Sequence, residues 1–138
     1  MKTLSSILLT LLVVFGACTS PRISSDPFVR VSDGRLTVNG KPYYYIGTNF
    51  WYGAILGAQG QGGNRERLLR ELDHLKAHGI NNLRVLVGAD GKDGIPTKAE
   101  PALQIEAGVY NDTIFDGLDY FLSELGKRDM YAVLFLNN

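Results

Sequence analysis

The residue pattern predicts an α/β fold built on parallel strands. Residues 82–87 and 130–136 are near-continuous apolar runs with the length of buried strands. Residues 65–78 and 113–128 precede them, have helix length, and carry apolar side chains at 3-4 spacing. Strand and helix therefore alternate, and parallel strands joined by right-handed helical crossovers are the usual result. The 138 residues are 45% hydrophobic and carry 14 Lys+Arg against 14 Asp+Glu. That composition is globular, and with no basic cluster it offers no electrostatic footprint for nucleic acid. A single Cys excludes an internal disulfide framework and a Cys-based zinc site.

The first seventeen residues read as an address. Lys2 supplies a positive start, and residues 7–17 are apolar except for Thr10. The run is too short to span a bilayer, which takes roughly 20 apolar residues, but it suits a signal peptide. Phe15-Gly16-Ala17-Cys18 follows, small residues before a lone Cys, similar to a bacterial lipobox; Phe15 departs from the usual aliphatic residue. The expectation is a signal peptide over 1–17, lipidation at Cys18, and a cell-envelope protein tethered to a membrane by its anchor. Plain secretion with cleavage near Ala17 is the simpler alternative. Residues 18–27 read as a linker.

The folded part begins at Phe28. Two short alternating stretches, 28–31 and 35–38, flank the turn signal Ser32-Asp33-Gly34. Asn39-Gly40 is a strong hairpin signal, and residues 43–48 read as a longer, more buried strand. Residues 49–63 lack any period and read as a loop. Asn64 can cap the first helix, whose apolar face is Leu68, Leu69, Leu72 and Leu75, and Gly79 can end it. Residues 82–87 look buried on both faces. Residues 88–111 read as a second loop, and Asp112 as the cap of the second helix, which presents Ile114, Phe115, Leu118, Phe121, Leu122 and Leu125. The chain stops two residues after its last strand, at Asn137-Asn138. Three parallel strands and two helices are a small part of such a sheet, so truncation is the expectation.

Few residues suggest chemistry. The stretch 57–63 is glycine-rich and lies between strand and helix, where a phosphate loop sits. Its spacing fits neither G-x-G-x-x-G nor the Walker pattern, so a nucleotide site is not expected. Glu66, Glu71 and Glu124 fall on helices among charged neighbours and read as solvated. Asp90 is the only acid near a strand end. His74 and His78 share one helix with no further ligand at metal-binding spacing, so no metal is expected. Arg84 is the most telling polar residue, because a charge inside an apolar strand is costly without an acid partner. It either reaches a helix carboxylate or serves an acid further along a longer chain. Phe50, Trp51 and Tyr52 follow the first parallel strand. They form either a satellite core or a platform on which the apolar faces of sugar rings stack.

Motifs in order then carry a resemblance. Val38-Asn39-Gly40-Lys41-Pro42 precedes Tyr45-Ile46-Gly47-Thr48-Asn49-Phe50-Trp51. Leu75-Lys76-Ala77-His78-Gly79-Ile80-Asn81-Asn82-Leu83-Arg84 comes next, then Gly117-Leu118-Asp119-Tyr120 and residues 132–138. Together residues 28–138 resemble the N-terminal part of a glycoside hydrolase family 5 domain, its β-mannanases in particular. The resemblance implies the capping hairpin, strands one to three and helices one and two of a (β/α)8 TIM barrel. It implies that Arg84 supports the nucleophilic Glu, and that Asn49, Trp51, Asn137 and Asn138 lie at the sugar subsite. The two catalytic Glu of the family follow strands four and seven, so neither is among these residues and this chain alone is expected to be inactive. No cofactor is implied. The implied partner is a β-mannan-type polysaccharide, with a cellulase or other β-glycanase, or a non-catalytic carbohydrate-binding fragment, as alternatives.

Overall fold

The computed structural model describes residues 28–96 and 99–136. The signal-peptide, Cys18 and linker expectations, and Asn137 and Asn138, lie outside them. The chain divides into two compact units, one up to Tyr43 and one from Tyr44 onward.

In the first unit, β1 (Arg30–Ser32), β2 (Arg35–Val38) and β3 (Lys41–Pro42) form an antiparallel sheet in that order. Both turns need left-handed backbone at two successive residues. Asp33-Gly34 and Asn39-Gly40 supply it, with φ of 50° and 72° and of 51° and 73°, the conformation that suits the twist of a two-residue hairpin.

In the second unit, β4 (Gly47–Asn49), β5 (Asn82–Leu86) and β8 (Tyr131–Phe135) form a parallel sheet with β5 in the middle. Helices α2 (Arg65–Ala77) and α3 (Asp112–Gly126) are the crossovers. Leu83 and Val85 on β5 are wholly buried and join Leu68 and Leu72 of α2 and Ile114, Phe121 and Leu125 of α3 in one core. The Asn64 side chain caps α2 by accepting from the Arg67 N–H at 2.9 Å. The helix ends as expected at Gly79, φ 80°, with the Gly79 and Ile80 N–H groups bonded back to the Lys76 and Leu75 carbonyls. That pairing is a Schellman motif, which only a left-handed residue closes without strain.

Five expectations are corrected. Residues 43–48 are not one buried strand: Tyr44, Tyr45 and Ile46 are exposed, and only Gly47–Asn49 joins the sheet. The Asn81 side chain takes over from a ladder there, accepting from the Ile46 N–H at 2.9 Å and donating to the Tyr44 carbonyl at 3.1 Å. The 49–63 loop contains a short helix, α1 (Gly53–Gly57), and the 88–111 loop a small hairpin, β6 (Gln104–Glu106) with β7 (Val109–Tyr110). Asn111, not Asp112, caps α3, accepting from the Thr113 N–H at 3.1 Å. Lastly, β5 is buried on both faces except at Arg84. Arg84 is exposed between buried Leu83 and Val85, because alternate side chains of a strand leave on opposite faces.

The glycine-rich stretch also has a structural reason. Helices α1 and α3 touch backbone to backbone: a Cβ on Gly57 would lie 2.1 Å from the Gly117 carbonyl oxygen, and one on Gly117 2.3 Å from that of Ala54. Gly57 thus serves helix approach.

Candidate functional site

The parallel sheet brings the separated motifs together. Its register aligns Asn49 of β4, Arg84 of β5 and Val133 of β8 in one row. Successive side chains alternate, so this row lies on the face opposite to Leu83 and Val85, away from the helices. Asn49, Arg84 and Val133 are all exposed. The row is locked by the Phe50 N–H donating to the Arg84 carbonyl at 2.8 Å.

Among the described residues Arg84 has no carboxylate partner, so the helix-carboxylate alternative is not realised. Its guanidinium lies 3.6 Å over the centroid of the Phe135 ring. That cation–π contact orients the planar fork while leaving N–H donors open on the exposed face.

The three aromatics separate by role. Phe50 is buried and stacks on Phe121, centroids 5.9 Å apart. Tyr52 is half-buried and tilts against Phe50 at 4.5 Å. Trp51 is 44% exposed and meets Tyr52 edge-on at 5.4 Å and 84°. The satellite-core reading therefore fits Phe50, and a free ring face exists only at Trp51.

Glu71 and Glu124 are not the solvated acids expected. The Tyr52 hydroxyl donates to Glu71 Oε2 at 2.8 Å, and Arg67 Nε to Oε1 at 2.6 Å. Burial pushes the Glu71 carboxyl up, but the bonds from Arg67 and Tyr52 outweigh it and hold the pKa below the ordinary value. Burial, with Glu71 beside it, raises the Tyr52 phenol. Glu124 is buried and bonded to Lys127 and Arg128, while Glu66 stays exposed and pairs with Arg70. The Tyr52 partner of Glu71 depends on the loop path, which no spacing records, whereas Lys127 and Arg128 lie three and four residues after Glu124, a helical spacing that signals the pairing in the sequence. Asp90 accepts from the Gln104 side-chain amide at 3.0 Å, and Asp93 from the Ala102 N–H at 2.8 Å; both pin the loop before the β6–β7 hairpin. His74 and His78 face each other at 4.3 Å. Among the described residues no group of three potential metal ligands occurs, and no helix is long and apolar enough to cross a membrane.

A family model described as GH family 5 beta-mannosidase-like matches residues 26–138. The chain belongs to this family. The family 5 chain is 33% identical over 109 residues to mannan endo-1,4-beta-mannosidase 1 of Oryza sativa subsp. japonica, covering 79% of this chain and 23% of that protein. It is 30% identical over 112 residues to mannan endo-1,4-beta-mannosidase 5 of Solanum lycopersicum, covering 80% and 25%. The chain thus spans about a quarter of the length of these relatives. In structure it is similar to the glycoside hydrolase family 5 mannosidase from Rhizomucor miehei, with a TM-score of 0.75, 37% identity, and coverage of 80% of this chain and 28% of that one. A mutant of that enzyme has been solved in complex with mannosyl-fructose, and it matches with a TM-score of 0.74.

Proposed function

We propose that these residues are the first part of a (β/α)8 barrel, a retaining glycoside hydrolase that cleaves β-1,4-mannosidic bonds within mannan. The observation that carries this reading is the parallel β4–β5–β8 sheet with Asn49 and Arg84 side by side on its open face. Its similarity to a family 5 mannosidase at 37% identity supports it. On this reading the three parallel strands are barrel strands one to three, and the open face is the barrel interior.

Two Glu from later strands then do the covalent chemistry. One attacks the anomeric carbon and displaces the leaving sugar, whose oxygen takes a proton from the other. The second Glu then draws a proton from water, which releases the product with retained configuration. Arg84 is the cation beside the nucleophile; a positive neighbour lowers a carboxyl pKa and keeps it ionised. Asn49 supplies an amide for substrate hydroxyls, Trp51 a ring face for stacking, and Asn137 and Asn138 further polar contacts. The sequence motif at Cys18 supports lipidation there and a membrane-tethered protein of the cell envelope.

The test is reducing-sugar release by the full-length protein from mannan and from a soluble cellulose. The expected outcome is release from mannan at a rate at least tenfold higher than from cellulose, a difference of about 1.4 kcal/mol in activation free energy. Equal rates on both would replace mannanase by a broader β-glycanase, and no release from either would remove the hydrolase reading. For the anchor, Cys18→Ser is expected to move the protein from the membrane pellet to the soluble fraction; an unchanged distribution would reject it.

A further inference from the structure

Trp51 stands between two kinds of neighbour. One side is open, and the Tyr52 ring meets the indole near-perpendicular on the other, with centroids 5.4 Å apart. Tyr52 is itself held at two points. Its ring tilts on Phe50, which stacks on Phe121 in the core. Its hydroxyl is fixed by Glu71 of α2. Glu71 in turn has both carboxylate oxygens engaged, one by Tyr52 and one by Arg67, a turn earlier on the same helix. The Arg67 guanidinium also lies 5.5 Å from the Tyr52 ring centroid. An exposed indole loses rotamer freedom on meeting a ligand, and holding it beforehand removes part of that cost. A two-point grip on the ring beneath it does this.

We propose that Glu71 is a positioning residue for the Trp51 indole, acting through the Tyr52 hydroxyl. The inference rests on the reading of Trp51 as a sugar-stacking surface. Glu71 touches no substrate; it fixes Tyr52, and the near-perpendicular contact with the Tyr52 ring fixes the orientation that Trp51 presents. The charge states agree with this wiring: Glu71 is kept an ionised acceptor and Tyr52 a protonated donor.

The experiment uses the full-length protein labelled with fluorotryptophan, with the Trp51 resonance assigned by its loss in Trp51→Phe. Tyr52→Phe keeps the ring and removes only the hydroxyl; Glu71→Ala removes its acceptor. In both, the Trp51 fluorine resonance is expected to shift and broaden while the other resonances stay in place. KM for a manno-oligosaccharide is expected to rise about threefold to tenfold, the worth of one hydrogen bond, with kcat within about twofold. Glu71→Ala is expected to add nothing once Tyr52 is Phe, since coupled residues are not additive. An unmoved Trp51 resonance in Tyr52→Phe overturns the proposal even if Glu71→Ala fails to fold. So does a full second effect of Glu71→Ala in the Tyr52→Phe background. A Trp51→Ala variant with unchanged KM would instead overturn the sugar-stacking reading, while the resonance of Trp51 in Tyr52→Phe still decides whether the grip exists.

Discussion

Arg84 shows how a single residue ties sequence to chemistry. Its place inside an apolar strand is paradoxical until its side chain is seen to leave the sheet on the side away from the helices, exposed. It is packed on Phe135, and on the proposed reading its free donors serve the nucleophilic acid. In the full-length protein, Arg84→Ala is expected to lower kcat by about 10²–10³, the usual loss when one preorganised charge-stabilising group is removed. The acid limb of the pH profile of kcat/KM is expected to move to higher pH, because the nucleophile loses the cation that depresses its pKa. An unmoved limb would assign Arg84 to packing alone. Glu124 makes a different prediction. Bonds from Lys127, then Arg128, hold its carboxyl below the ordinary value. Its contribution to stability is therefore complete above the unfolded value of about 4.3 and is lost as pH falls through the lower folded value. Thermal unfolding between about pH 5 and 3 should show a steeper loss of Tm for the native residue than for Glu124→Gln; parallel curves would refute it.

At the scale of elements, the contact between α1 and α3 decides where the Asn49–Tyr52 segment sits. Gly57 and Gly117 let the two helix backbones touch, and this seats α1 directly after the aromatic triplet. Arg65 reinforces the arrangement: its Nε donates to the Gly57 carbonyl at 2.7 Å, it pairs with Asp116 at 2.8 Å, and its guanidinium lies 3.9 Å over Tyr120. Gly57→Ala is expected to cost ~1–3 kcal/mol, the range for overpacking a close contact, read as a lower urea midpoint at unchanged m. Gly126→Ala makes the control. It lies at the end of α3 with nothing within 4 Å of an added Cβ, so it should be neutral or stabilising by up to ~1 kcal/mol. Equal losses in both would show that the α1–α3 approach is not what Gly57 serves.

At the scale of the whole molecule, the described residues leave apolar surface at the third parallel strand uncovered. Val133 is 52% exposed and Leu136 77%, and β4 and β8 are the outer strands of the three. Apolar surface beside unpaired strand edges favours association. The 138-residue chain made alone is expected to run in sedimentation velocity as associated species. Val133→Lys combined with Leu136→Lys is expected to raise the monomer fraction several-fold; a native chain that is monomeric at tens of micromolar would contradict this.

The sequence alone determined helices α2 and α3, the two ends of α2 at Asn64 and Gly79, the first two hairpin turns and the parallel order, because periodicity, capping and turn chemistry are local. It also singled out Arg84 as a charge in need of an explanation. Tertiary structure decided what depends on distant partners. The strand expected over 43–48 is interrupted because the Asn81 amide occupies the backbone groups of Tyr44 and Ile46. The Gly57 stretch serves a helix contact because Gly117, sixty residues on, meets it without a Cβ. Glu71 became a bonded, half-buried acid because Tyr52 arrives from another segment. No periodicity records such meetings, since hydrogen bonds and close packing are set by position in space rather than by spacing along the chain.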